Sequence, residues 1–92
     1  MNLEFVTEII DGDTFKGDSY RPSVRLAGFD APELNTPQGI YAKTYLENLI
    51  YGKIVTIEKV ATDVYGRDIA NVKLGMGSRS VNEEMKRMFG RN

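Results

Sequence analysis

Cysteine and histidine are both absent from this 92-residue chain. Without cysteine there is no disulfide framework and no thiolate metal site. Without histidine, Ser-His and Cys-His nucleophilic schemes fall away, together with most zinc chemistry. Acid–base work is left to carboxylates, tyrosine, lysine or bound water. No apolar run approaches the roughly 18 residues of a membrane span, so no membrane partner is expected. An excess of basic charge is missing too. Net charge is -1 and the sequence pI is about 5.4, which weighs against a simple electrostatic DNA-binding module. It does not weigh against an enzyme whose metal ion supplies positive charge locally. Strand-like sequence follows Met1 almost at once and leaves no room for a signal peptide. The expected compartment is the cytosol for the chain as written, or the exterior if a leader preceded Met1.

What is present reads as one small domain over residues 1–92. Hydrophobic residues make up 41% and charged residues 27%, the balance of an ordinary globular protein with one modest core. Leu3 to Ile10 is β-branched and aromatic with imperfect alternation, and predicts a half-buried strand with Glu4 and Glu8 on one face. Asp11-Gly12-Asp13 is a turn, Thr14-Phe15-Lys16 a second strand, and Val24 to Phe29 a third. Thr36-Pro37 gives an N-cap with proline at the first helical position. Ala42, Tyr45, Leu46, Leu49 and Ile50 follow at helical spacing, and Gly52 supplies the stop. Lys53 to Val60 and Arg67 to Leu74 are further strands. Ser80 and Glu83 form a capping box for a last helix whose inner side is Val81, Met85, Met88 and Phe89. The order β-β-β-α-β-β-α predicts a mainly β, α+β architecture, a five-stranded OB-fold barrel.

Three short charged segments carry the chemistry. Asp11-Gly12-Asp13-Thr14 is, taken alone, a hairpin turn. Its functional reading aims the Asp13 carboxylate at a cation, with Asp11 behind it orienting bound water. Arg25 lies between Val24 and Leu26, so alternation turns it to the opposite face from both. In Asp30-Ala31-Pro32-Glu33, Gly28 permits a bend and Pro32 holds Ala31 extended, so both carboxylates can fold back towards Arg25; the bland reading is a polar loop before the helix. Asp63-Val64-Tyr65-Gly66-Arg67 is a β-turn with a left-handed glycine, delivering Arg67 to the start of a strand. Tyr65 reads equally as a packing residue or a base-stacking one. Carboxylates hold hard metal ions and guanidinium forks match phosphate oxygens, a combination suited to attack of water on a phosphodiester.

Taken jointly, five segments closely resemble the staphylococcal nuclease (thermonuclease) family. They are Ile9-Ile10-Asp11-Gly12-Asp13-Thr14, Val24-Arg25-Leu26-Ala27-Gly28, Asp30-Ala31-Pro32-Glu33, Asp63-Val64-Tyr65-Gly66-Arg67 and Val81-Asn82-Glu83. The likeness runs from about Phe5 to Met88. It implies an OB-fold barrel flanked by helices, and calcium-dependent hydrolysis of DNA and RNA that breaks the 5′ P–O bond and leaves 3′-phosphate ends. It further implies Asp13, Asp30 and the carbonyl of Ala31 as Ca²⁺ ligands and Glu33 as the general base. Arg25 and Arg67 become the pair that grips the scissile phosphate. Two carboxylates and one carbonyl leave calcium short of its six to eight oxygens, so affinity without substrate is expected to be weak, on the order of 10⁻⁴ M or poorer. The three carboxylates and two guanidiniums carry one net negative charge, which Ca²⁺ reverses, so the ion is expected to serve substrate binding as well as chemistry.

The chain departs from the family pattern in three places. Val64 stands where the family prototype has a lysine, the loop after Glu33 is reduced to little more than Leu34-Asn35-Thr36-Pro37, and the sequence ends at Asn92, before the segment that usually supplies a base-stacking tyrosine and a third helix. Uncovered apolar surface, and with it a marginally stable monomer or a homodimer, is therefore expected. Nothing resembles a base-reading element, so the predicted activity has low sequence specificity. The rival readings are a non-catalytic nucleic-acid-binding module on the same fold, or a protein-interaction domain in which the carboxylates form only a surface loop.

Overall fold

A computed structural model describes residues 2–19 and 22–90. The termini Met1 and Asn92 lie outside the described residues. Strands β1 (Asn2–Asp11), β2 (Thr14–Gly17) and β3 (Val24–Leu26) precede helix α1 (Pro37–Ile50). Strands β4 (Ile54–Thr62) and β5 (Asp68–Leu74) and helix α2 (Val81–Phe89) complete the expected order. The strands close into a barrel in the order β1-β2-β3-β5-β4. β3 and β5 run parallel, while the other neighbours are antiparallel. Closure comes from the start of β1, where Asn2 to Phe5 pair with Ile57 to Ile54 of β4.

Apolar side chains from every strand and both helices fill the interior. Phe15, Leu26, Ile57, Val6, Val24, Val55 and Val72 meet Leu46 and Ile50 of α1 and Met85 of α2, all essentially without solvent contact. Ala42, Leu46 and Ile50 recur at helical spacing, which is why α1 seats one stripe on the barrel. The Thr36 hydroxyl accepts from the Gly39 N–H at 3.1 Å, and Pro37 occupies the first turn, as the sequence predicts. Ser80 caps α2 through the Glu83 N–H at 3.1 Å.

Two expectations about strands are corrected. Glu4 and Glu8 do not share a face. Glu4 points inward with Val6 by simple alternation, while Leu3 and Phe5 point out; the β1–β2 register then shifts between Val6 and Glu8, which leaves Glu8 exposed and Ile9 buried. The Glu4 carboxylate tolerates burial because it accepts from the Ser19 N–H at 2.6 Å and the Ser19 hydroxyl at 2.9 Å. The third strand stops at Leu26 rather than reaching Phe29, because Gly28 takes a φ of +72° and turns the chain out of the sheet. That turn begins the segment on which the charged residues sit. Phe5 and Ile54 are cross-strand partners, and both are about half exposed, as are Leu3 and Tyr51. Among the described residues, no helix is long and apolar enough to cross a membrane.

Candidate active site

The β1–β2 turn, strand β3, the loop after it and the 63–67 turn build one cleft. The β1–β2 turn carries Asp11 and Asp13, and the Asp13 carbonyl accepts from the Leu26 N–H at 2.8 Å, fixing that turn to β3. Arg25 sits on β3 opposite Thr14 and beside Ile69 of the parallel strand β5. After Gly28 the chain doubles back through Asp30, Ala31, Pro32 and Glu33. The resulting open cavity, about 450 Å³, is lined by Asp11, Asp13, Arg25, Asp30, Ala31, Pro32, Glu33, Leu34 and Arg67.

Asp13 is the hub. Its Oδ2 accepts from the Ala31 N–H at 2.8 Å and lies 3.7 Å from the Arg25 guanidinium, and its Oδ1 accepts from the Thr14 hydroxyl at 2.8 Å. Burial pushes the Asp13 pKa up, but hydrogen bonds with the Asp11 side chain, Ala31 and Thr14, and the charge of Arg25, outweigh it and hold the carboxyl below its usual range. Asp11 moves the other way: burial first, then its side-chain contact with Asp13, raise its pKa. The pair therefore divides its roles, with Asp13 the ionised member and Asp11 the one that holds a proton more readily. Asp11 Oδ1 also accepts from the Asp13 N–H at 3.0 Å, which shapes the turn.

Arg25 forms a close ion pair with Asp30, whose carboxylate is 91% exposed. Arg67 is held from the other side of the cleft by the 63–67 turn. Its Nε donates to Asp63 Oδ2 at 2.6 Å, and its N–H donates to Asp63 Oδ1 at 3.0 Å. The same oxygen accepts from the Tyr65 N–H at 2.9 Å. Burial works to raise the Asp63 pKa, but these bonds and the Arg67 charge bring it below the ordinary carboxylate value. The Arg67 guanidinium carbon lies 5.3 Å from the centre of the Tyr65 ring. Tyr65 is 81% exposed on the rim and is not among the cavity-lining residues, and Val64 projects into solvent.

Glu33 is positioned by a device that sequence reasoning missed. Its carbonyl accepts from both the Thr36 hydroxyl (2.6 Å) and the Thr36 N–H (3.1 Å), tying it to the cap of α1. Gly39 packs beneath: a Cβ there would stand 1.8 Å from the Glu33 carbonyl oxygen. The signal was a glycine inside a predicted helix, with no local reason to be there. Asn82 was also passed over as a structural residue. Buried on α2, it donates to the carbonyls of Ala27 (2.9 Å) and Ala70 (3.0 Å) and accepts from the Val72 N–H (2.8 Å). It thereby fixes the residue from which the site turn departs.

Among the described residues no three carboxylates converge closely enough to hold a metal ion by themselves. The cleft-lining carboxylates of Asp11, Asp13, Asp30 and Glu33 are oxygen donors of the kind a hard cation takes. Oxygen donors of this kind suit hard cations such as calcium or magnesium rather than a softer metal.

A model of the staphylococcal nuclease homologue family matches residues 23–88, more than half of the chain. The chain belongs to this family. Among curated proteins, it is 34% identical over 84 residues to one from Escherichia coli and one from Escherichia coli O157:H7, each named an uncharacterized endonuclease. The match covers 89% of this chain and 54% of those proteins. Protein ParB of Escherichia coli is 36% identical over 73 residues, covering 77% of this chain and 41% of that protein. The chain thus spans about half the length of the curated relatives it matches, or less. The family match begins just before β3 and ends within α2, so it takes in Arg25, Asp30, Glu33 and Arg67, while Asp11 and Asp13 precede it.

Proposed function

We propose that this chain is a nuclease domain that hydrolyses phosphodiester bonds of DNA, RNA or both with little sequence preference, uses Ca²⁺, and leaves 3′-phosphate ends. The observation that carries the reading is the meeting of Arg25, Arg67, Glu33, Asp13 and Asp30 around one open cleft, with charge of both signs and room for a phosphodiester. Family membership and the endonuclease name of its relatives support it.

The side chains divide the work as follows. Arg25 and Arg67 present planar guanidiniums to the non-bridging phosphate oxygens and stabilise the charge that grows there as the bond to water forms. Arg25 does so by exchanging one anion, the exposed Asp30 carboxylate, for another. Arg67 keeps its hold on Asp63 through Nε and leaves its terminal nitrogens for phosphate. Glu33 accepts the proton of the attacking water. Asp13, kept ionised, and Asp30 with the Ala31 carbonyl are the groups that would hold Ca²⁺. When bound, that ion supplies positive charge and a template for the phosphate.

The test is cleavage of fluorescent single-stranded DNA with and without millimolar Ca²⁺, beside Glu33→Gln, with end-group analysis of the products. Calcium-dependent cleavage that Glu33→Gln abolishes is the expected result. A folded protein that binds the strand and does not cut it is instead a nucleic-acid-binding module on the same fold. Products ending in 3′-hydroxyl would overturn the proposed bond choice alone.

A further inference from the structure

A second cavity, about 620 Å³, lies against the same site loop. Asp30, Ala31, Pro32 and Glu33 line this cavity and the cleft alike, so the loop is a wall common to both. Lys86 and Phe89 of α2 contribute to the rest of its lining. A ligand emerging from the cleft over the loop therefore meets a cation and an aromatic ring.

Both groups are arranged to receive one. The Lys86 ammonium lies 3.4 Å from a Glu83 carboxylate oxygen, in a pair exposed enough to exchange partners at little cost. It also lies close to the loop at Gly28, where an added Cβ would stand 3.6 Å from the nitrogen, so the cation sits beside the loop that walls the cleft. Phe89 is fixed by T-shaped contacts with Tyr41 and Tyr45, at ring separations of 5.4 and 5.6 Å. A cation for phosphate next to a held ring for a base is the pairing that recognises single-stranded nucleic acid without reading its sequence.

We propose that this cavity is a further nucleotide subsite, in which Lys86 holds a phosphate and Phe89 meets a base of the strand whose neighbouring phosphodiester occupies the cleft. The assignment rests on the nucleic-acid reading of the cleft, and it extends recognition beyond a dinucleotide.

Fluorescence anisotropy in millimolar Ca²⁺, with Glu33→Gln as the background to prevent cutting, tests it using labelled dinucleotide and hexanucleotide DNA. Lys86→Gln is compared with Lys53→Gln, which removes the same charge from the α1–β4 turn. The expected result is severalfold weaker hexanucleotide binding for Lys86→Gln alone, with dinucleotide binding unchanged. The slope of log K against log salt should fall by about 0.7, the value of one phosphate contact on a single strand. Equal behaviour of the two lysine variants, or a hexanucleotide bound no more tightly than a dinucleotide, overturns the subsite. Cleavage by the unmodified protein is scored separately. Strands cut normally while Lys86→Gln matches Lys53→Gln remove the subsite and leave the nuclease. A hexanucleotide-specific loss in a protein that cuts nothing removes the nuclease and leaves the subsite.

Discussion

The side chain of Asn82 on α2 donates to the carbonyl of Ala27, 55 residues earlier, at the point where the chain leaves β3 for the cleft. With Ala70 and Val72 as its other partners, one buried amide joins the second helix, β5 and the base of the site loop. Asn82→Ala would strand the Ala27 carbonyl and the Val72 N–H, while the Ala70 carbonyl keeps the Ala27 N–H at 2.8 Å. We expect a loss of about 3 kcal/mol, a large share of the stability of a domain this size. Chemical denaturation measures it. Asn82→Asp should not rescue, since a carboxylate replaces only the bond accepted from Val72.

Gly39→Ala places a methyl group where the Glu33 carbonyl oxygen lies. Backbone must move, so a destabilisation of about 1–3 kcal/mol is expected from the overpacking alone. Because the atom displaced belongs to Glu33, cleavage should fall further than the unfolded fraction explains. Comparing kcat with the folded fraction by circular dichroism separates the two, and a parallel fall would show that Glu33 is not displaced.

Arg67→Lys retains the positive charge and removes the fork. If the guanidinium braces the developing charge on phosphate, kcat should drop by on the order of 10²-fold with the fold intact. Near-full activity in this variant would end the role assigned to Arg67.

Asp11 and Asp13 give opposite pH signatures. The folded pKa of Asp11 is raised, so folding is favoured while it stays protonated and that advantage is lost as pH rises through the folded value. Asp11→Asn, which can still accept from the Asp13 N–H, should therefore hold or gain stability at neutral pH and gain nothing in acid. Asp13 and Asp63 have lowered pKa values; their contribution is present above the ordinary carboxylate value and is lost as pH falls through the folded ones. Asp63→Asn should flatten the acid limb of the stability profile. Denaturation midpoints from acid to neutral pH measure both effects.

The outward pair Phe5 and Ile54, with Leu3 and Tyr51 also exposed, predicts self-association through this face at high concentration. Sedimentation velocity across a concentration series should show it, and Phe5→Lys should abolish it. A single monomeric species at every concentration would remove the dimer.

Element order was legible because each signal was local: Thr36-Pro37 and Ser80 with Glu83 mark helix starts, and Gly28 and Gly66 adopt the positive φ that their turns require. The charged residues of the cleft were legible for a different reason, since they occur in short segments that match a family as words. What escaped is tertiary. The separation of Glu8 from the face of Glu4 depends on a register shift set by the partner strand, which nothing within β1 announces. Gly39 matters because of a carbonyl six residues earlier that the helix start brings back onto it, and Asn82 because of strands that reach it only once the barrel has formed. The second cavity was equally hidden, as Lys86 and Gly28 are neighbours only through that docking of α2.

The route by which the barrel closes has a consequence for biosynthesis. The first strand finds one of its two partners only in β4, and β3 finds its parallel neighbour only in β5. Asp13, Arg25, Asp30 and Glu33 therefore leave the ribosome well before the strands and the amide that set their spacing. A nascent chain still lacking α2 holds every charge of the cleft without the buried amide that sets their spacing.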